Sequence, residues 1–293
     1  MDSSINLARA KNGWGNGIAS WEEDSVSYIS CTFSYLKLKA EKMADELHSL
    51  GKDVRLGGVA YRVWDDKVKA LGHHNPNATY TSRGCPRKCP WCLVPVMFKD
   101  GLVEFEEWKP NKIICDDNIL AVSNAHFDSV INKLLISDIT GFDFQGVDAR
   151  FLSSDHVDGF VKLGKRLSVL HLAWDRTRQE LSLFKALNKL IEAGIKKQQL
   201  RVYVLIGFDD TPEDALYRLE KLKAFGVFPN PMRYQPIDTP KKNSHVGENW
   251  THKELVRYMR YWANLRFFRK LDFKDFIYPY KEHEDGMGKA KVD

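Results

Sequence analysis

With 293 residues, 43% of them hydrophobic and 28% charged, the chain is long enough for one barrel or two small domains around a buried core. Its 44 basic side chains are nearly matched by 39 acidic ones, so a net charge of +5 says little about an anionic partner. No apolar run approaches a membrane span, and the opening residues hold Gly13, Gly15 and Gly17 without an apolar core, which excludes an integral or exported protein and leaves a cytoplasmic one as the expectation.

In chain order, 25–33 reads as a strand, 36–50 has helical periodicity closed by Gly51, and 53–61 is again strand-like. This β-α-β unit within 1–76 is too small for a doubly wound domain, which needs several more strands. It is expected as a cap or sheet extension.

The strand-like stretch 77–84 then leads into Gly-Cys-Pro-Arg-Lys-Cys-Pro-Trp-Cys, which sets Cys85, Cys89 and Cys92 at C-x3-C-x2-C spacing on one short loop. Three thiolates can hold three corners of a [4Fe-4S] cube and leave the fourth iron open to an exogenous chelate. A structural zinc site takes four ligands, and the nearby candidates for a fourth are His73 and His74. A disulfide framework belongs to small exported chains, whereas five cysteines in 293 residues suit a reduced compartment. Cys31 and Cys115 fall in apolar runs and read as buried structural thiols.

The cysteine spacing, Trp91 before the last cysteine and the strand leading into the loop together resemble the radical S-adenosyl-L-methionine (radical SAM) superfamily. The resemblance implies that SAM binds the open iron through its amino and carboxylate groups. It also implies reductive cleavage to methionine and a 5′-deoxyadenosyl radical that abstracts hydrogen from substrate, with electrons from a reductase or flavodoxin-type donor. The N-terminal unit resembles a truncated cobalamin-binding domain found in one branch of that superfamily. Glu46-Leu-His48-Ser-Leu-Gly51 nearly matches that domain's signature, yet His48 falls late in a predicted helix, so it is not taken as a cobalt ligand.

Beyond the loop, strands at 79–83, 112–116, 141–147, 167–174, 200–208 and 231–235 alternate with helices, which predicts parallel β/α construction. Six strands with five crossovers match the superfamily's partial (β/α)6 TIM-type barrel, here over 77–240, with 241–293 as a C-terminal helix and tail. In such barrels chemistry gathers at the C-terminal strand ends. The resemblance places cofactor contacts at Trp91, at Asp117 and Asn118, at Gln145, Asp148 and Arg150, at Asp175 and Arg176, and along the backbone at Gly207. Each group has a plainer reading as a helix cap or strand-end ion pair. Thr211, Pro212 and Asp214 read as the start of the next helix. Arg233 and Gln235 share one face of the last strand and are substrate contacts if that face is the lumen.

Thr251 and Glu254 form a capping box opening a helix to about residue 270, with Leu255, Tyr258, Met259, Trp262 and Leu265 as its apolar stripe. Lys253, Arg257, Arg260, Arg266, Arg269 and Lys270, interleaved with Tyr261, Phe267 and Phe268, offer either a solvated basic face or a phosphate-gripping surface for nucleotide or nucleic acid. From residue 281 a disordered tail is expected. A cobalamin-dependent radical methyltransferase and a non-enzymatic Fe–S or zinc module remain open as alternative functions.

Overall fold

The computed structural model describes residues 15–63, 67–264 and 270–278, apart from the side chains of 67–69. The expected tail and residues 265–269 of the C-terminal helix lie outside these. The described residues hold eight α-helices and a mostly parallel six-stranded sheet that is not closed into a barrel. No helix among them is long and apolar enough to cross a membrane. By its contacts the chain divides into one unit of residues 1–117 and 236–241 and another of 118–235 and 242–293.

In the first unit, β1 (Ile18–Glu23), β2 (Val26–Cys31) and β3 (Asp53–Gly57) form a three-stranded sheet, with α1 (Lys37–Ser49) connecting the parallel pair β2 and β3. Ile29 and Cys31 pack there with Ala40 and Ala44 of α1. Sequence reasoning missed β1. Its hairpin closes through Asp24 and Ser25 at φ 50° and 64°, a two-residue turn with both centres left-handed, and the usual Asn-Gly signal for such a turn is absent. After α2 (Lys67–His74), the predicted strand 79–83 breaks into β4 (Ala78–Thr79), parallel to β7 (Ile113–Ile114), and β5 (Ser82–Arg83), antiparallel to β6 (Val103–Glu104). The crossover from β4 to β7 is therefore the cysteine loop with a single-turn helix, α3 (Val94–Met97), rather than a regular helix. Ser34 Oγ donates to Thr239 O at 2.8 Å and Arg62 pairs with Asp238 at 2.6 Å, tying 236–241 to this unit.

In the second unit each parallel strand follows a helix: α4 (Asn124–Ile136), β8 (Phe142–Phe144), α5 (Ser154–Leu163), β9 (Leu167–Ala173), α6 (Glu180–Glu192), β10 (Leu200–Ile206), α7 (Pro212–Phe225) and β11 (Phe228–Arg233). Register assigns the two faces. Phe144, Leu170 and Leu200 share one side with Leu172 and Val202, all fully buried, whereas Asp143, His171 and Tyr203 belong to the other. β11 begins three residues before its predicted start. Pro229 and Pro231 argue against a central strand, but β11 pairs only with β10, and an edge strand tolerates the missing N–H groups. Thr211 caps α7 as expected, and the Thr251–Glu254 capping box opens α8 (His252–Trp262). The stripe that α8 buries is Leu255, Tyr258, Tyr261 and Trp262, with Tyr261 in place of Met259.

The β1–β2 turn gives a direct test. Asn and Gly suit left-handed turn centres better than Asp and Ser, so Asp24→Asn/Ser25→Gly is expected to stabilise the chain by about 1 kcal/mol. Thermal unfolding reads this as a raised Tm, and a lowered one contradicts the turn assignment.

Candidate functional site

The first unit builds the cysteine loop on two buried carboxylates. Asp116 accepts from Thr81 N at 2.7 Å, Thr81 Oγ1 at 2.6 Å and Ser82 Oγ at 2.7 Å. Asp117 accepts from Gly84 N at 2.7 Å and pairs with Arg83 at 3.2 Å, and both side chains of that pair are nearly buried. The Arg83 guanidinium also lies over the rings of Tyr80 and Phe98, at 4.1 and 4.9 Å. Burial raises the pKa of both carboxyls, and the Arg83 charge and the Gly84 N–H pull Asp117 back. Gly84 sits at φ +93°, where an added Cβ would stand 2.1 Å from Gly101 O, so only glycine fits at the entry to the loop. Asp117, assigned from sequence to the cofactor, thus has both oxygens engaged in holding Arg83 and Gly84.

Cys85, Cys89 and Cys92 are half-buried thiols outside any disulfide, and Trp91 beside them is half-buried too. Cys92 N donates to Cys89 O at 3.0 Å, closing the turn between them. Burial pushes the Cys92 thiol up to about 11, with smaller contributions in the same direction from Cys89 and Cys85. Among the described residues no group of three or more His, Cys, Asp or Glu side chains stands close enough to hold a metal ion, and the three thiols are no exception. Thiols carry no mutual attraction that would converge them, and the metal itself supplies the energy that gathers such ligands. As a donor set, three soft thiolates on one turn suit an iron–sulfur cluster. The nearby histidines are occupied: His73 stacks on Trp21 at 4.1 Å, and His74 Nε2 lies 2.9 Å from Ser30 Oγ with its pKa driven down to about 4 by burial. His48 is exposed in the last turn of α1. Cys31 is buried as expected, whereas Cys115 is only partly so.

In the second unit the strand ends after β8 and β9 bring four of the sequence-assigned residues together. Arg150 pairs bidentately with Asp148, at 2.7 and 2.5 Å. Arg176 pairs with Asp209, beyond the end of β10. The Asp175 carboxyl is raised to about 6, mainly by burial, against the opposing charges of Arg150 and Arg218 and with repulsion from Asp148. A cleft of about 230 Å³ lined by Asp175, Arg176, Asp209, Asp210, Asp214 and Arg218 opens here. Asn118 is buried at the turn whose next N–H, of Ile119, donates to Gly146 O at 3.0 Å. Gln145 turns to the sheet face and accepts from Tyr203 Oη at 3.0 Å.

The remaining assignments have local partners. Gly207, at φ +80°, donates its N–H to Asp210 at 2.9 Å, and a Cβ there would meet Leu255 at 2.9 Å. Arg233 donates to His245 O at 2.6 Å and Gln235 accepts from Asn243 N at 2.6 Å, so both hold the loop after β11. Arg257 donates to Phe273 O at 2.7 Å and Phe276 O at 3.1 Å, and Arg260 lies over the ring of Tyr278. These two α8 cations therefore serve the chain's own 273–278 segment. Leu265, Arg266, Phe267, Phe268 and Arg269 lie outside the described residues.

Sequence reasoning missed Arg218. It is fully buried, donates to the carbonyls of Trp174, Asp175 and Leu205 at 2.8, 2.9 and 3.0 Å, and pairs with Asp210. The signal was available, because Arg218 falls on the stripe Ala215, Leu219, Leu222 that α7 buries. No protein-family model matches the chain, and no curated protein matches it significantly.

Two outcomes follow from this charge cluster. Arg218→Ala leaves Asp210 buried without its counter-charge and is expected to destabilise the fold by about 3–5 kcal/mol, read as a lower urea midpoint. An unchanged midpoint would show the pair to be solvated. Because the raised Asp175 pKa keeps its proton on the native state above the unfolded value, this group's contribution to stability declines as pH rises from about 4 to about 6. Asp175→Asn is expected to flatten that part of the Tm–pH curve, and a variant curve parallel to the parent's would remove Asp175 as its source.

Proposed function

We propose that the protein is a radical SAM enzyme acting on a substrate not yet identified. The observation that carries this reading is the C-x3-C-x2-C loop, three half-buried thiols on a turn whose entry is pinned by Asp117 through Gly84 and Arg83. Cys85, Cys89 and Cys92 are the ligands for a [4Fe-4S] cluster, which when bound with S-adenosyl-L-methionine supplies reductive cleavage of SAM for hydrogen abstraction from substrate. Asp116 and Asp117 fix the strand before the loop, so the thiols are presented from a rigid base. Partial burial of the loop limits the water around the thiols. On this reading Trp91, Asn118, Gln145, Asp148, Arg150, Asp175, Arg176 and the Gly207 backbone are candidate cofactor contacts, and a reductase or flavodoxin-type protein is the electron donor. We further read the open parallel sheet as a partial (β/α)6 barrel, supported by a helix after each of β7 to β10.

Anaerobic reconstitution is expected to load about four irons per chain, with a broad absorbance near ~400 nm. Cys85→Ala, Cys89→Ala or Cys92→Ala should each abolish it while Cys31→Ala and Cys115→Ala retain it. The reduced, loaded protein should convert SAM to 5′-deoxyadenosine and methionine. Stoichiometric zinc without iron, or S-adenosylhomocysteine as the sole product, would sink the proposal.

A further inference from the structure

The ion pair at the entry to the cysteine loop carries charge into a place that water hardly reaches. Asp117 accepts the Gly84 N–H at 2.7 Å, one residue before Cys85, and its other oxygen lies 3.2 Å from the Arg83 guanidinium. The two side chains are 10% and 8% exposed, so neither charge is well screened. They stand differently toward the thiols. Arg83 lies over the rings of Tyr80 and Phe98, at 4.1 and 4.9 Å, whereas the Asp117 carboxylate acts on Cys92, adding to the burial that raises that thiol. Packed apolar side chains are often as stabilising as a buried ion pair or more so, and holding the turn therefore does not by itself account for a pair here.

We propose that Asp117, held by Arg83 and Gly84, sets the reduction potential of a cluster bound by Cys85, Cys89 and Cys92. The inference rests on the iron–sulfur reading above. An electron placed on such a cluster adds negative charge, and a fixed carboxylate beside the thiols in a poorly screened interior opposes that addition, so the potential falls. A lower potential makes the reduced cluster a stronger donor, which one-electron cleavage of a carbon–sulfur bond requires. The guanidinium makes burial of the carboxylate tolerable and favours its ionised form, while the Gly84 N–H fixes where the charge sits. Asp117 touches no reacting atom in this scheme and works through the thiolates, as residues behind a metal's ligands commonly do.

The test is a redox titration of the full chain, reconstituted with iron and sulfide and free of SAM, followed by the paramagnetic signal of the reduced cluster, with iron content measured in every sample. Asp117→Asn keeps the shape and an acceptor for Gly84 but removes the charge. It is expected to raise the midpoint, so that at a fixed potential its reduced-to-oxidised ratio exceeds the parent's at least several-fold. Asp117→Glu and Arg83→Lys keep both charges while disturbing the geometry, and both are expected to stay near the parent. A parent that loads no iron removes the cluster reading and this inference together. A loaded parent with an unshifted Asp117→Asn midpoint overturns this inference alone, as does an Asp117→Glu midpoint that moves as far as that of Asp117→Asn. An Asp117→Asn protein that takes up no iron also overturns it, leaving Asp117 an anchor of the loop and nothing more.

Discussion

The guanidinium of Arg218 has no access to water, and the ends of β9 and β10 are arranged around that fact. A buried cation is tolerated only when its donors are consumed, and here four carbonyls, that of Asp214 one turn back among them, and the Asp210 carboxylate consume them. Trp174 and Asp175 supply two of those carbonyls as the chain leaves β9, Leu205 supplies one near the end of β10, and α7 carries the arginine itself. One side chain thus fixes the spacing of two strand exits and the helix that follows. Asp210 in turn takes the Gly207 N–H and the Trp250 indole, extending the same fixation to the turn after β10 and the residue before α8's cap. Asp175, raised to about 6, is held beside this cation by a backbone it does not control.

The first unit solves a similar problem with the signs reversed. Asp116 and Asp117 are buried carboxylates, and what satisfies them is mostly the backbone and hydroxyls of 81–84. Their work is directed at the loop entry. A carboxylate that accepts the Gly84 N–H also restrains a residue whose left-handed φ and lack of side chain let Gly101 approach. The cysteines thus leave a fixed point although the loop itself contains no long regular element.

Much of the alternating β/α order was legible because hydrophobic periodicity and helix caps are local: Thr211, Thr251 and Gly51 were read correctly from neighbours within four residues. What was not legible depends on distant partners. β1 escaped notice because its turn uses Asp24 and Ser25 in conformations those residues rarely adopt, and only pairing with β2 stabilises them. The first residues of β11 were missed because Pro229 is acceptable there only with the strand at an edge, a fact of topology. Arg257 read as a phosphate grip because its carbonyl partners at Phe273 and Phe276 lie more than a dozen residues away. Asp117 read as a ligand for the same reason, since its partner Arg83 lies a whole crossover earlier in the chain.

A common thread joins the residues that the sequence marks for ligands: most already have an ionic or hydrogen-bonded partner in the fold. Arg150 holds Asp148, Arg176 holds Asp209, and Asp117 holds Arg83. An incoming carboxylate that reached either strand-end arginine would displace an aspartate of the same charge, and the exchange is close to neutral in Coulomb terms. Net affinity for such a ligand would have to come from its apolar and stacking surface, or from a second anchor such as an open iron. On that account the charged strand ends would select the shape and sign of a ligand more than they would supply its affinity.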